Sequence, residues 1–398
     1  MFKKLILALT PLVLALPLAM DVYVPAIPHI TELFKTTDTR MLQTLNWFML
    51  SAGLMQLVIG PISDQFGRRL VVLWMIVFFA IGSLCCGLAN SVEVLLFWRI
   101  IQALGSCGMM VISFAIVRDL YMDEKSARAY SFLNGMISFS PIFATFIGSY
   151  LDYYFGWAFT FWSLLLVAIC ALFTMGVWLD ETLPVTKRTP LSSKLAKQYW
   201  LVFRNRDFTI FNIASSFGHS YLYLFCALSP YLIIRCLGIA QTQYGFYFCF
   251  MGISLLLGSF LSGLIVERLG IVKTCLLGYL ITLVGGIWMT AWYIFYGLSV
   301  YNFIYPMLLI GTGGTFCMGA GAGGAMAPFD ESKGAAAAAI GASRFLVAGL
   351  AGYFLINKTV SSTLPLALPA IVFSCIGLIS LSFVVRRMSP QLVVNYNR

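Results

Sequence analysis

The chain has 398 residues, of which 60% are hydrophobic and only 10% charged, whereas soluble domains carry about 25% charged residues. Its 25 basic and 15 acidic residues cannot build a water-facing surface for a chain this long, which excludes an ordinary soluble enzyme, a disordered chain and a disulfide-stapled secreted scaffold. Mean hydropathy of +0.91 places most residues in lipid. The net charge of +10 would suggest nucleic acid in a soluble protein; here it first asks where the positive charges sit relative to a bilayer.

A bilayer core takes about 20 apolar residues per helix. Twelve such runs follow one another, at 5–30, 43–62, 70–90, 94–117, 129–151, 158–179, 208–235, 243–265, 273–296, 301–328, 335–356 and 365–385. The alternating pattern of an outer-membrane barrel is missing. Lys3 and Lys4 precede the first run as they would a signal peptide. The run continues through Asp21 and Pro25 with further spans behind it, so it is read as a retained helix. With the N-terminus in the cytoplasm, nineteen of the 25 basic residues fall on the cytoplasmic side and four (Lys35, Arg40, Arg235 and Lys358) on the other, while Arg99 and Arg344 lie inside runs. That bias predicts both termini inside. Nine of the ten Cys lie in apolar runs and behave as small hydrophobes, and Cys236 near an outer loop has no evident outer partner. Neither a disulfide framework nor a metal site is implied, the more so with only two His.

The segment 181–206 is the longest polar stretch, with Pro184, Pro190 and six basic residues. The expected organisation is a six-helix bundle over 1–180, a cytoplasmic linker over 181–206 and a second six-helix bundle over 207–398. An internal repeat supports the cut. Gly60, Asp64 and Gly67 follow the second run, and Gly263, Glu267 and Gly270 follow the eighth at a constant offset of 203. Asp123-Glu124-Lys125 after the fourth run is echoed by Asp330-Glu331-Ser332-Lys333 after the tenth. The fold class is therefore an all-α integral membrane protein of twelve helices in two pseudo-repeats. That is the layout of parallel-repeat transporters, whose substrate sites lie near midplane between the halves.

The loop Gly60-Pro61-Ile62-Ser63-Asp64-Gln65-Phe66-Gly67-Arg68-Arg69 resembles the loop 2–3 signature of the major facilitator superfamily. Arg99-Ile100-Ile101-Gln102-Ala103-Leu104-Gly105 resembles the Arg-x-x-Gln-x-x-Gly signature of its proton-coupled drug antiporters. Asp21-Val22-Tyr23-Val24-Pro25-Ala26-Ile27-Pro28 resembles the start of the Bcr/CflA group of drug exporters. Ser140-Pro141, Ala144-Thr145 and Gly148-Ser149 in the fifth run form a loosened antiporter motif around Pro141, and Gly156-Trp157 also fits. The resemblance covers essentially the whole chain.

It implies that Asp64 docks on the N-terminus of the eleventh helix, near Gly334, and that Arg68 pairs with Asp119, gating the cytoplasmic side. The other account of these charges is a solvated loop placed for topology. Glycines at 60 and 67 suit a sharp turn and close backbone approach, and a carboxylate suits a helix N-terminus. Asp21 is the only carboxylate deep in a run, and Pro11, Pro17, Pro25 and Pro28 predict a kinked first helix. A lone buried carboxylate must pair or protonate. The resemblance names Arg99 as its partner, either as a proton-coupling switch or as a static ion pair fixing the first and fourth helices.

Polar stripes are costly against lipid. Tyr23, the fourth-run residues Gln102, Ser106, Met109 and Ser113, the second-run residues Asn46, Gly53 and Gln56, and the seventh-run residues Asn212, Ser215, His219 and Tyr223 are therefore expected to line a substrate cavity or to bond between helices. His219 is a candidate substrate contact or a packing histidine. Arg344 falls about ten residues into the eleventh run, on a face with Gly341, Ala348 and Gly352. Exporters of lipophilic cations present acids at such depth, whereas this chain presents Arg99 and Arg344 against Asp21. That balance favours a substrate bearing an anion, unless Arg344 snorkels or bonds backbone carbonyls. The glycines from Gly311 to Gly324 lie in an apolar run without a preceding strand, so they are read as close helix packing and not as a nucleotide loop.

The expected function is a proton-coupled secondary transporter of a bacterial inner membrane. It would export drugs or small organic solutes by antiport with alternating access, or carry a specific anionic or zwitterionic solute such as an amino-acid derivative or a carboxylate siderophore in either direction. No cofactor is expected beyond the proton gradient. The expected partners are a small-molecule substrate and the lipid bilayer, with no nucleic acid and a monomeric state. A non-transporting receptor or channel of the same fold would show no proton stoichiometry, and an intramembrane enzyme would need a catalytic constellation that the sequence lacks.

Overall fold

The computed structural model describes residues 2–121, 123–188, 194–329, 333–355 and 360–387. In chain order the helices are α1 (Phe2–Asp21), α2 (Ile27–Leu33), α3 (Asp38–Phe66), α4 (Arg68–Gly87), α5 (Val92–Leu120), α6 (Asp123–Phe155), α7 (Ala158–Trp178), α8 (Lys194–Arg204), α9 (Arg206–Pro230), α10 (Gln241–Tyr296), α11 (Val300–Met326), α12 (Lys333–Leu355) and α13 (Leu364–Arg387). Each of the twelve predicted runs falls on helix to within a few residues at its ends, except that 5–30 is interrupted at 22–26, and residue 356 lies outside the described part. Among the described residues, eleven helices are long and apolar enough to cross a membrane. They are one fewer than the runs because α10 carries two of them across a kink at Gly270.

Local chemistry sets the helix starts. Thr37, Ser91, Asn205 and Ser299 each accept, through their side-chain oxygens, a backbone N–H of the first turn of α3, α5, α9 and α11, satisfying donors that a helix leaves unpaired. The first helix is broken, but not at all four prolines. Pro11 and Pro17 lie within α1. The break comes at Asp21–Tyr23, followed by a 3₁₀ turn over Val24–Ala26 and the restart at α2. Pro25 and Pro28 occupy the first positions of those new turns, where a missing N–H costs nothing. A second departure lies in the predicted linker, part of which is helical as α8. There Val202 is buried while Trp200, Leu201 and Phe203 are exposed. Residues 189–193 of the linker lie outside the described residues.

The chain divides into two compact units, one of Met1–Ser193 with Ala240–Gly245 and one of Lys194–Ile239 with Phe246–Arg398. In the first, α5 packs against α1, α3 and α4, and α1 against α6 and α7. In the second, α9 packs against α11, α12 and α13. Both units rely on glycine where helices touch backbone to backbone. A Cβ on Gly105 would lie 2.4 Å from Phe79 N, one on Gly218 2.3 Å from Gly314 O, and one on Gly321 2.7 Å from Phe211 O and Ser215 N. The glycine-rich α11 is thus the close-packing surface against α9. Large side chains such as Leu7, Trp74, Phe173, Leu257 and Phe354 remain exposed, as lipid-facing positions do.

The repeat is visible in the backbone. Gly67 (φ 96, ψ 151) separates α3 from α4, and Gly270 (φ 78, ψ 168) kinks α10, 203 positions apart. These conformations are almost closed to residues with a Cβ and cost about 1–3 kcal/mol when forced. Gly67→Ala and Gly270→Ala are each expected to lower unfolding stability by about that amount. Gly263→Ala, at a helical position with nothing within 4 Å, should be neutral or slightly stabilising. Thermal unfolding of the purified variants in detergent checks the contrast.

Candidate functional site

At the α3–α4 turn the structure brings together Ser63, Asp64, Arg68 and Asp119. Arg68 is 2% exposed. Its Nε donates to Asp119 Oδ2 at 2.9 Å and its Nη1 to Ser63 Oγ at 2.5 Å, and its Nη2 pairs with Asp64. Gly67 supplies the turn that aims it. Sequence reasoning missed Glu181. This carboxylate accepts the backbone N–H groups of Arg68 at 2.9 Å and Arg69 at 3.3 Å, so it caps α4, whose own cap position is a glycine without a side chain. A Cβ on Gly67 would lie 2.4 Å from Glu181 Oε2. Local pattern could not reveal a cap supplied from 113 positions away. The residues around Gly334 and Asp330 named with this motif belong to the other unit, and residues 330–332 lie outside the described residues.

Deeper in the same unit, the break in the first helix meets α5. Arg99 is fully buried. Its Nη1 donates to the Ala19 carbonyl and to Gln102 Oε1, both at 2.7 Å. The guanidinium carbon lies 4.1 Å from the Phe48 ring centre and 4.9 Å from that of Tyr23. The direct Asp21–Arg99 pair implied by the resemblance is therefore not the contact formed; the guanidinium reaches α1 two residues earlier. The physical reason is the helix end. Ala19 lies in the last turn of α1, where carbonyls have lost their helical donors and the dipole is negative, so backbone takes the place of a carboxylate. Asp21 is 4% exposed, and none of the five ion pairs among the described residues includes it.

The polar residues around Arg99 bond between helices. Gln102 Nε2 donates to Ser83 Oγ at 2.8 Å, and Ser83 donates to Phe79 O at 2.7 Å. Tyr23 shares a 2.9 Å hydrogen bond with Thr44 and lies 3.1 Å from Met41 Sδ. Gln56 is buried on α3, and the Cys107 thiol of α5 donates to Ala52 O. Ser106 and Ser113 turn back onto their own helix. Asn46, Met109 and Ser106 are buried beside them along α3 and α5. Pro141 lies inside α6, four residues before Thr145, which donates to the Pro141 carbonyl at 2.8 Å. One further turn along, a Cβ on Gly148 would lie 2.0 Å from the Val22 carbonyl, so the motif on α6 receives the break in the first helix. His29 and Asp152, missed by the sequence reading, pair at 2.8 Å between α2 and α6.

In the second unit, α9 meets α12 through predicted residues. Asn212 Nδ2 donates to Ser343 Oγ at 2.8 Å. Arg344 Nε donates to Ser215 Oγ at 2.6 Å and its Nη2 to the Met318 carbonyl at 2.8 Å. The His219 ring lies edge-on to Phe345, centres 5.1 Å apart. Tyr223, one turn on, is fully buried. Among the described residues no group of three or more His, Cys, Asp or Glu is placed to hold a metal.

An all-helical membrane architecture with two glycine-broken repeats and a charged turn after the second span defines a class of secondary transporter folds. Residues 9–353 match the sequence profile of the Major Facilitator Superfamily, and the chain belongs to that family. It is 28% identical to a chloramphenicol resistance protein of Pseudomonas aeruginosa, over 83% of this chain and 78% of that one. It is also 28% identical to multidrug resistance protein D of Escherichia coli K12, over 87% of both. A bicyclomycin resistance protein homolog of Haemophilus influenzae is 24% identical over 69% of both. A D-xylose-proton symporter shares the fold at TM-score 0.74, 15% identity and coverage of 97% of this chain and 98% of that one.

Glu181→Ala is expected to cost about 1 kcal/mol, the usual loss for a helix cap, and Glu181→Gln less, because an amide oxygen still accepts the Arg68 N–H. Gly148→Ala should destabilise more than either, since its Cβ would meet backbone. Denaturation of the three variants in one detergent gives the order.

Proposed function

We propose that the protein exports small organic solutes across a bacterial cytoplasmic membrane by alternating access, driven by protons entering in exchange. The two bundles joined by the 181–206 segment act as its moving halves, with both termini cytoplasmic as the distribution of basic residues favours. The observation that carries the reading is a buried carboxylate, Asp21, at the break of the first helix, two residues from the carbonyl that holds Arg99. The names of the relatives, which concern resistance to chloramphenicol, bicyclomycin and several drugs together, support export.

The chemistry follows from the cost of charge in a low-dielectric site. As a neutral acid Asp21 needs no counter-ion, and Arg99 rests on the Ala19 carbonyl. On losing its proton Asp21 becomes an unpaired buried anion, which is expensive. The nearest remedy is for Arg99 to exchange the carbonyl for the carboxylate. That exchange releases the end of α1 and the interhelical bonds running from Gln102 to Ser83, and so ties the protonation state to helix position. Each proton entering with the membrane potential supplies about 2.3 kcal/mol per 100 mV, and a pH difference adds to it. Asp64, Arg68 and Asp119 serve as the cytoplasmic gate, while Tyr23, Asn46, Gln56 and Met109 in the first unit, and Tyr223 in the second, are the positions by which each bundle meets solute. No cofactor takes part, and a single chain carries out the cycle.

The test is flux in proteoliposomes under an imposed pH gradient, with chloramphenicol as probe. Asp21→Asn, which is neutral at every pH, should abolish gradient-driven uptake into inverted vesicles while leaving chloramphenicol binding measurable by tryptophan fluorescence. Uphill transport by Asp21→Asn at the wild-type rate would refute the assignment. Arg99→Lys keeps the charge but is shorter than the guanidinium whose Nη1 reaches both Ala19 and Gln102 and lacks the planar face held against Phe48 and Tyr23, and should lose at least tenfold in coupled flux.

A further inference from the structure

Arg344 is the twelfth residue of α12, about 17 Å from the helix start at 1.5 Å per residue, which is near the middle of a 30 Å bilayer core. From Lys194 onward the sequence holds only four acids: Asp207, Glu267, Asp330 and Glu331. Asp207 lies in the first turn of α9, eight positions before the Ser215 that Arg344 touches, or about 12 Å of helix. Glu267 lies three residues before the Gly270 kink, and Asp330 and Glu331, outside the described residues, precede Arg344 by thirteen or more positions in sequence. No ion pair among the described residues includes Arg344.

The guanidinium is nevertheless held firmly. Its Nε donates to Ser215 Oγ and its Nη2 to the Met318 carbonyl, and Ser215 Oγ itself donates to that carbonyl at 3.2 Å. The three groups close a ring across α9, α11 and α12. Backbone contact at Gly218, Gly314 and Gly321 brings Ser215 within reach of Met318. Arg344 Nη1 has no partner among the described residues. Beside it on the Asn212–Ser215–His219 face of α9, Asn212 Oδ1 and His219 Nε2 are buried without a hydrogen-bond partner. A fixed cation with a free guanidinium edge beside the unpartnered His219 Nε2 calls for an anion, and the unpartnered Asn212 Oδ1, an acceptor, calls for a donor group on the same molecule. A carboxylate there would accept from Nη1 and from a protonated His219 Nε2, the neutral tautomer with its hydrogen on that nitrogen being sufficient.

We infer that Arg344, fixed by Ser215 and Met318 and flanked by Asn212 and His219, recognises a carboxylate on the transported organic solute. The inference rests on the transport reading above and adds to its neutral probe a recognised class of carboxylate-bearing or zwitterionic solutes. It is tested by binding, so the two fail separately: loss of coupled flux leaves it standing, and loss of carboxylate preference leaves proton-coupled export standing.

The experiment measures thermal stabilisation of the purified full-length protein by three matched pairs: 4-phenylbutyrate and 4-phenylbutylamine, decanoate and decylamine, and 1-naphthylacetate and 1-naphthylmethylamine. Sodium chloride and phosphate serve as inorganic controls. Wild type is expected to bind at least one carboxylate at least tenfold more tightly than its amine. Arg344→Gln should erase that preference by a factor of about 10–100, the range for hydrogen bonds to charged groups. Arg344→Lys should retain part of it, and Ser215→Ala, which loosens the guanidinium without removing it, should weaken it less than Arg344→Gln. If Arg344→Gln fails to fold, the Lys and Ala variants carry the comparison. Equal affinity within all three pairs, stabilisation by chloride or phosphate equal to that by the carboxylates, or an unchanged preference in the Arg344 and Ser215 variants would each overturn the inference.

Discussion

A guanidinium inside a bilayer has no water to turn to, and the arrangement of the first unit depends on how Arg99 is satisfied. It takes the Ala19 carbonyl, which is available only because α1 stops two residues later. The break must then sit within reach of α5, and the chain restarts with Pro25 and Pro28 at positions where their missing N–H groups are harmless. Gly148 on α6 leaves room for the displaced Val22 carbonyl. Phe48 and Tyr23 present ring faces to the cation, contacts worth more when desolvated. Gln102 passes the connection on to Ser83 and α4. One buried charge thus links helix termination, helix packing and the aromatic lining around it.

The second unit solves the same problem differently. Arg344 also donates to a main-chain carbonyl, but that of Met318 lies in the interior of α11 and already belongs to a helical ladder, so it contributes only a second lone pair. Ser215 completes the hold, and it reaches the site because glycines replace side chains along the α9–α11 contact. Arg99 is held by a helix end and enclosed by aromatic rings, whereas Arg344 keeps an uncommitted edge beside unsatisfied polar atoms. Two residues of the same type, each within the apolar part of its unit, are therefore suited to different tasks. In the proposed cycle one exchanges partners within the protein, and in the proposed recognition the other meets a solute.

The twelve runs and the repeat were legible because lipid imposes length and polarity limits that hold residue by residue, and because positions 67 and 270 require glycine for a backbone reason that leaves a mark in sequence. Contacts supplied from a distance were not. Glu181 caps α4 from the far end of its unit, and nothing in the local pattern around either residue announces it. The α8 helix was hidden because the segment is short and carries charge among its aromatics, so it reads as polar loop until Val202 is seen buried against its neighbours. Asp21 and Arg99 stand out in sequence as charges that lipid cannot tolerate, yet their pairing is not decided by that argument. Charge counting knows only side chains, and the acceptor that Arg99 uses is backbone.

That last point alters how a coupling device is to be understood. A permanent Asp–Arg pair would keep both charges neutralised in every state and give a proton little to change. A guanidinium parked on a helix terminus leaves the carboxylate free to exist as a neutral acid. The ionised form then competes with a fixed carbonyl of partial charge, roughly half an elementary unit spread over the helix end. A full negative charge outweighs it, and a neutral acid does not. In the proposed cycle the proton alone sets the direction of the exchange, and what the Ala19 carbonyl holds in place sets its structural consequence. Because the same displacement strains the contact between Val22 and Gly148, the proton's effect is transmitted through packing as well as through charge, in a protein whose helices meet at glycines that leave no slack.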